Sequence, residues 1–167
     1  MKDKIIGYTT GVYDLFHIGH VNLLKKAKSM CDYLIVGCSN DEVVKEMKDK
    51  NPIIPFNERI EILKSIKYVD EVVEQTRELY LNKLKAAEVY KFNRMFVGDD
   101  WKNSKKFNDL ESNLNKLNID LVYFAYTKGT SSTKINKILD DYKFSNIGTL
   151  SDIQGCCQIG DCVIKDT

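Results

Sequence analysis

Hydrophobic and polar positions along the chain follow two different spacings, which predict strands alternating with helices. Short continuous runs rich in β-branched and aromatic residues are typical of buried strands, and they lie at 5–10, 33–38, 71–74, 95–97 and 121–124. Between these runs, apolar residues recur every three or four positions, as they do on one face of a helix. The pattern predicts an α/β fold: a Rossmann-like, doubly wound five-stranded parallel sheet with helices on both faces.

Five helices are predicted from the apolar residues they would bury. The second begins near Asn57, a residue suited to cap a helix, and the last opens near Ser131 or Ser132. The inner faces are, in order, Val21, Leu24, Ala27 and Met30; Ile60, Leu63 and Ile66; Tyr80, Leu84 and Ala87; Phe107, Leu110, Leu114 and Leu117; and Ile135, Ile138, Leu139 and Tyr142.

Parallel sheets of this kind bind ligands beyond the carboxyl ends of their strands, where the strand order reverses. This rule directs attention to the turns that follow Thr10, Val97 and Phe124. All three turns contain residues capable of binding phosphate, metal or a nucleoside.

Composition and charge narrow the class of protein. The 167 residues are 43% hydrophobic and 29% charged, as in a water-soluble globular domain, and the net charge of +1 gives no general attraction to nucleic acid or acidic lipid. We expect no nucleic-acid partner and no membrane insertion. Neither a signal peptide nor a membrane-spanning stretch is evident, so we expect the protein in the cytoplasm.

The last part of the chain differs in character from the rest. We predict one domain over 1–142 and a C-terminal extension of unknown role over 143–167, which is rich in glycine and carries Cys156, Cys157 and Cys162. A standard zinc site needs four ligands, and no histidine or fourth cysteine is near these three. Packed or surface thiols are expected instead, and no metal site built from protein ligands is predicted.

The strongest chemical signal is the segment GVYDLFHIGH over 11–20, directly after the first strand. A helix that begins here offers free N–H groups and a positive dipole end, which suit a phosphate. His17 and His20, the two histidines of the chain, can both reach the first helical turn, and Gly19 lets a phosphate approach the backbone. Two surface histidines placed by chance are the alternative, and their position favours a functional site.

This segment resembles the HxGH signature of the nucleotidyltransferase superfamily. Three further segments resemble motifs of its cytidylyltransferase branch: KYVDEV at 67–72, GTSSTKI at 129–135, and GDDW at 98–101, the last as in the glycerol-3-phosphate enzymes. Together these motifs span about residues 5 to 140 in the order that the family shows.

The resemblance implies an enzyme that transfers CMP from CTP, with Mg²⁺, to a small phosphorylated alcohol, with release of pyrophosphate. Glycerol 3-phosphate is the first candidate acceptor, followed by phosphoethanolamine and phosphocholine. A phosphate monoester is largely ionised near pH 7, since its second pKa is about 6, so it needs no general base. Positioning and charge neutralisation are sufficient for in-line attack on the α-phosphorus.

The resemblance also implies roles for individual residues. Catalytic contacts to phosphate oxygens fall to His17, His20, Lys48 and Lys50. Nucleotide binding falls to Thr10, Gly11, Val12, Tyr13, Gly19, Asp99, Thr127, Gly129, Ser131, Ser132 and Thr133, and acceptor binding to Asp14, Arg59, Lys67 and Trp101. A solvated charged loop is an equal alternative for Lys48 and Lys50, and an exposed helix charge is the alternative for Arg59.

The chain departs from the family pattern at several positions. Val12 replaces a threonine and Lys67 replaces an arginine. Tyr126 replaces a second arginine, whose positive charge the nearby Lys128 can supply. An adenylyltransferase of the same fold and a catalytically silent nucleotide-binding module therefore remain alternatives. Relatives are commonly dimeric, which is the ground for expecting a homodimer.

Overall fold

A computed structural model describes residues 4–99, 102, 105–125 and 129–145. Five strands and seven helices are present in these ranges. In chain order they are β1 Ile6–Gly11, α1 Ile18–Lys28, β2 Tyr33–Ser39, α2 Asp41–Lys48, α3 Phe56–Lys64, β3 Glu71–Gln75, α4 Arg77–Leu81, α5 Lys83–Tyr90, β4 Arg94–Gly98, α6 Lys105–Lys116, β5 Asp120–Phe124 and α7 Ser132–Ser145.

The five strands form one sheet in the order β3-β2-β1-β4-β5, and every neighbouring pair is parallel. Ile6 lies opposite Tyr33 of β2, and Gly7 lies opposite Arg94 of β4. The strand order reverses between β1 and β4, so the ligand-binding edge is centred on the carboxyl ends of those two strands. The predicted fold class is confirmed.

Alternate residues of the strands point to two separate apolar cores, one on each face of the sheet. On one face, Leu34 and Val36 of β2 pack with Leu24 of α1 and Leu63 of α3. On the other face, Ile35 packs with residues of α4, α5 and α6, among them Leu79, Ala86 and Leu114. Helices therefore cover both faces, as the alternation of strands and helices predicted.

Several predicted element bounds were wrong. No helix was predicted between β2 and the helix near Asn57, and the structure has α2 there, whose short amphipathic pattern ends at Lys48. Helix α3 begins at Phe56 with Pro55 as its N-cap, because proline's fixed φ suits the start of a helix, and Asn57 lies inside it. The predicted third helix is two helices, since Asn82 ends α4 and caps α5 by accepting from the Lys85 N–H.

Three predicted helical faces extend too far. Met30 lies beyond α1 and is 38% exposed. Leu117 lies beyond α6 and is 54% exposed, so the step from Leu114 to Leu117 leaves the helix. In α7 the predicted inner residues Ile138, Leu139 and Tyr142 are all exposed. Helical spacing alone identified an apolar stripe here, although burial depends on what lies against it.

The chain divides into two compact units, Met1–Ser132 and Thr133–Thr167. The first contains the whole sheet, and the described part of the second is the remainder of α7. The domain boundary predicted at residue 142 lies inside α7, and the tail cysteines lie outside the described residues, so both stay predictions. Among the described residues, no helix has both the length and the apolar character that a membrane span requires.

Candidate active site

The turn that leaves β1 carries strained backbone. Tyr13 and Leu15 both have positive φ, 57° and 48°, a conformation that bulky residues rarely adopt. Tyr13 is only 4% exposed and packs its ring in the core beside α1, so its backbone, and not its side chain, borders the site. A strained turn is retained only where the surrounding structure holds it, and such turns cluster at functional sites.

Asp14 is one of the groups that hold this turn. Its carboxylate accepts hydrogen bonds from the N–H groups of Leu15, Ile53 and Ile54, at 3.0, 3.0 and 2.9 Å. The segment before α3 is thereby tied to the β1 turn. Asp14 was predicted to bind the acceptor, and its described contacts give it a role in shaping the turn.

Arg59 is the second group that holds the turn. Its side chain is completely buried, with Nε donating to the carbonyl of Ile54 at 2.9 Å and Nη1 donating to the carbonyls of Val12 and of Ser39, the latter at 2.8 Å. Nη2 forms an ion pair with Asp41. Neither interpretation of this arginine from the sequence, acceptor contact or exposed charge, describes it, because every face of the guanidinium is occupied by protein.

The two histidines form a mutual cap at the start of α1. His17 is the N-cap, and its Nδ1 accepts from the N–H of Gly19 at 3.0 Å, while Nδ1 of His20 accepts from the N–H of His17 at 3.3 Å. The ring centroids are 4.0 Å apart. A Cβ at position 19 would lie 2.7 Å from Cε1 of His17, so glycine is required to leave room for that imidazole.

His17 also meets the first residue of α7. Its Nε2 lies 3.1 Å from the N–H of Ser132, and the Ser132 hydroxyl donates to the carbonyl of Asp14 at 2.8 Å. A neutral imidazole has one accepting nitrogen. The Gly19 N–H points at Nδ1 and the Ser132 N–H points at Nε2, so the ring of His17 links the start of α1 to the backbone at Ser132.

The protonation of both rings is set by burial. The pKa of His20 is lowered to about 4, first by burial and next by the neighbouring His17, against an opposing effect of Asp14. Burial also lowers the pKa of His17. Both imidazoles are therefore neutral hydrogen-bond donors at pH 7, and with Nδ1 of His20 accepting, its proton lies on Nε2.

Lys48 and Lys50 come at and just after the end of α2. Lys48 lines a cavity together with Thr10, Gly11 and Val12, so its ammonium is on the same side as the β1 turn. Its pKa is lowered, chiefly by burial and next by the like charge of Lys50. Such a cation is stabilised by any anion that enters, which agrees with the predicted phosphate contact.

The structure brings some other predicted residues to this edge and leaves others away from it. Asp99 directly follows β4, and Gly129, with a φ of 127° that favours glycine, precedes Ser131 and Ser132. Lys67 precedes β3, at the amino ends of the strands, so the structure does not bring it to the site within one chain. Thr133 belongs to the second unit, and Thr127 and Trp101 lie outside the described residues.

A cavity of about 510 Å³ was missed by sequence reasoning. It lies beyond the ends of β1 and β4, on the face covered by α4, α5 and α6, and its lining includes the buried polar residues Ser39 and Gln75. Both residues end a strand, β2 and β3, and this position at the carboxyl edge was the available signal.

Comparison with known proteins agrees with this geometry. The family model described as cytidylyltransferase-like matches residues 8–138, which contain the whole HxGH turn. The chain belongs to the cytidylyltransferase-like family. The predicted cytidylyltransferase branch of the nucleotidyltransferases is therefore confirmed, and so is the enzyme class.

Individual family members resemble the chain over most of its length. A glycerol-3-phosphate cytidylyltransferase of Bacillus spizizenii is 37% identical over 134 residues, 80% of this chain and 95% of that protein. An FAD synthase of Pyrococcus horikoshii is 36% identical over 140 residues, covering 82% and 91%. Among solved structures, a lipopolysaccharide core biosynthesis protein of Thermoplasma volcanium has a TM-score of 0.62 at 27% identity, covering 77% of this chain and all of that one.

Proposed function

We propose that this family member transfers CMP from CTP to a phosphorylated alcohol and releases pyrophosphate. The observation that carries the proposal is the pair of imidazoles, His17 and His20, whose ring centroids lie 4.0 Å apart at the start of α1, directly after the β1 turn. The start of a helix carries partial positive charge, and a phosphate oxygen binds well there.

The reaction follows from what these residues supply. An oxygen of the acceptor's phosphate attacks the α-phosphorus of CTP, the new P–O bond forms, and the bond to the β-phosphate's bridging oxygen breaks, with pyrophosphate taking the electron pair. Neutral imidazole N–H groups and backbone N–H groups stabilise the charge that moves onto the phosphoryl oxygens. The residues therefore act by position and charge, and the acceptor phosphate is itself the nucleophile.

Magnesium enters this proposal with the nucleotide. Among the described residues no group of three or more acidic, histidine or cysteine side chains is arranged to hold a metal, and the Asp14 carboxylate already accepts three backbone N–H bonds. This donor set fits Mg²⁺, which usually keeps waters and binds through substrate phosphates with one or two carboxylates. Asp99 is the described carboxylate we expect nearest to it, and the ion would neutralise triphosphate charge.

Glycerol 3-phosphate is the first acceptor to test, because the relative that makes its CDP derivative aligns over 95% of its own length. Adenylyl transfer is the second candidate, because a relative named FAD synthase aligns over a comparable share. A homodimer also stays part of the proposal, on the resemblance alone.

The deciding experiment measures pyrophosphate release with CTP and with ATP across a panel of phosphorylated alcohols. We expect release with CTP that depends on Mg²⁺ and on an acceptor. Release with ATP alone would replace the cytidylyl proposal by the adenylyl one. Binding of CTP by calorimetry, with no release on any acceptor, would favour a silent nucleotide-binding module.

A further inference from the structure

Three rings lie against the imidazole of His20. The ring of Phe16 is stacked on it with 5.3 Å between centroids and 26° between planes, and the ring of His17 lies at 4.0 Å and 30°. The Tyr13 ring meets it edge-on, at 5.4 Å and 62°. Offset-stacked and edge-on contacts at these distances are the favoured geometries of aromatic pairs. Each neighbour therefore restricts the rotation of the His20 ring.

Two of these three rings are anchored in the core. Tyr13 is 4% exposed and belongs to the buried cluster that contains Leu24 of α1, and Phe16 packs against the same cluster. A Cβ at Gly11 would lie 3.1 Å from two carbons of the Tyr13 ring, so this ring is also in close contact with the end of β1. Side chains packed in this way keep their rotamers and can hold a neighbouring group in place.

The orientation of the His20 ring decides which nitrogen a ligand can reach. Its Nδ1 accepts from the N–H of His17 at 3.3 Å, and a neutral imidazole has one accepting nitrogen, so Nε2 carries the proton. Turning the ring over would put a carbon in the place of Nδ1, remove this hydrogen bond and move Nε2 elsewhere. A donor that must meet a phosphate oxygen depends on a fixed orientation.

We propose that Phe16, together with Tyr13, is a positioning residue for the proposed nucleotidyl transfer. Stacking of the Phe16 ring holds His20 in the orientation in which Nδ1 accepts from the His17 N–H and Nε2–H is left to a phosphate oxygen. Phe16 acts through His20. The inference rests on the proposed function and adds to it a residue for which the sequence predicted no role.

The Phe16 ring also excludes water from the face of His20 that it covers. Burial is the first cause of the lowered pKa of His20, about 4; the neighbouring His17 lowers it further, and Asp14 opposes both. Tyr13 faces the same imidazole, and burial raises the pKa of its phenol, so the phenol stays neutral. Replacing Phe16 leaves these three titratable groups in place and changes the exposure of the imidazole.

Three substitutions separate the ring of Phe16 from its apolar bulk. Phe16→Leu keeps an apolar side chain and removes the ring, and Phe16→Tyr keeps the ring. Phe92→Leu is the matched control, because Phe92 is stacked on Tyr8 at 4.6 Å in the core on the other face of the sheet. It precedes β4, at the amino ends of the strands. Urea unfolding measures the stability of each variant.

Nuclear magnetic resonance of the imidazoles reads the orientation directly. The chain has two histidines, so two sets of ring signals are expected, and His17→Asn assigns them. Long-range proton–nitrogen spectra distinguish the two neutral tautomers. Wild type, Phe16→Tyr and Phe92→Leu should show His20 with the proton on Nε2 alone. Phe16→Leu should show a mixture, and the pKa of His20 should rise by at least about one pH unit toward its ordinary value.

Pyrophosphate release separates positioning from a general loss of stability. With the nucleotide and acceptor that support turnover, Phe16→Leu should lower kcat about tenfold and leave both KM values within about twofold, because the donor is present but misoriented in most molecules. Phe16→Tyr should restore kcat, and Phe92→Leu should keep it. A single tautomer in Phe16→Leu, or a kcat for that variant equal to that of the wild type or of Phe92→Leu, would overturn the inference.

The two proposals fail in different ways. If no nucleotide supports turnover, the proposed transfer fails, and titration of inorganic pyrophosphate against the His20 ring signals then decides the inference. Pyrophosphate should shift these signals in the wild type, Phe16→Tyr and Phe92→Leu, and should bind Phe16→Leu at least about fivefold more weakly, because its donor is misoriented. Equal affinity in all four proteins, or no shift in any of them, would overturn the inference.

Discussion

At the scale of single residues, the site depends on the number of acceptors that an imidazole can offer. His17 meets two N–H groups, of Gly19 and of Ser132, and it can accept from one of them. The same ring is a helix cap and, in the proposed function, a ligand of phosphate. These two roles can be separated by substitution.

We expect His17→Ala to lower turnover by at least about 10²-fold, because it removes an imidazole that the proposed function places beside the phosphates. Loss of the cap should cost only about 1 kcal/mol of unfolding free energy. The control is His17→Asn, which keeps an acceptor for the Gly19 N–H and lacks the second nitrogen. His17→Asn should have the unfolding free energy of the wild type and the low turnover of His17→Ala. Near-normal turnover in either variant would refute the role.

The lowered pKa of His20 predicts how stability depends on pH. Its folded-state pKa of about 4 is below the ordinary value near 6.5, so the unfolded chain binds the proton first. The stability contribution is fully present above pH 6.5 and is lost as pH falls toward 4, with a slope of at most about 1.4 kcal/mol per pH unit.

Urea unfolding at pH 7, 6 and 5 measures this slope. Histidine is the side chain that ordinarily titrates between pH 5 and 7, and the chain has only two, so few other groups contribute to the slope. His20→Gln should flatten the dependence and leave the smaller share that belongs to His17. An equally steep dependence in His20→Gln would show that another group is responsible.

At the scale of elements, Arg59 connects the parts of the site that come from separate segments. From α3 it reaches the end of β2 at Ser39, the β1 turn at Val12, and the start of α2 through Asp41. A lysine has no planar fork, so it cannot make these contacts together. This buried guanidinium fixes how the β1 turn is presented to a ligand.

We expect Arg59→Lys to lower the free energy of unfolding by about 3 kcal/mol, because it leaves buried carbonyls without donors and removes the ion pair with Asp41. Arg77→Lys is the matched control: its ion pair with Glu46 is exposed, and its loss should cost less than about 1 kcal/mol. The two variants are compared by their midpoints in urea. Equal midpoints would contradict the positioning role of Arg59.

At the scale of the whole molecule, the reversal of strand order places the HxGH turn and the 510 Å³ cavity side by side. The turn follows β1, and the cavity lies beyond the ends of β1 and β4. His17 and Ser132, from opposite ends of the sheet-bearing unit, meet there, so a nucleotide bound as proposed would contact both ends of that unit. Binding should therefore stabilise the folded state as a whole.

We expect saturating CTP with Mg²⁺ to raise the midpoint of thermal unfolding by roughly 5–10 °C, since ligand at about 100 times its Kd adds about 2.7 kcal/mol. His17→Asn should abolish most of this shift. ATP at the same concentration should produce a smaller one. Equal shifts with both nucleotides would contradict selectivity for cytidine at the binding step.

The sequence by itself determined the alternation of strands and helices, the parallel sheet and the family, because periodicity and the HxGH turn are local properties of the chain. Which side chains face a ligand was decided only by the tertiary structure. Arg59 and Tyr13 turned inward because the carbonyls and the core that receive them come from distant segments. Gln75 reached the cavity because β3 ends beside β2, a pairing that no local pattern encodes.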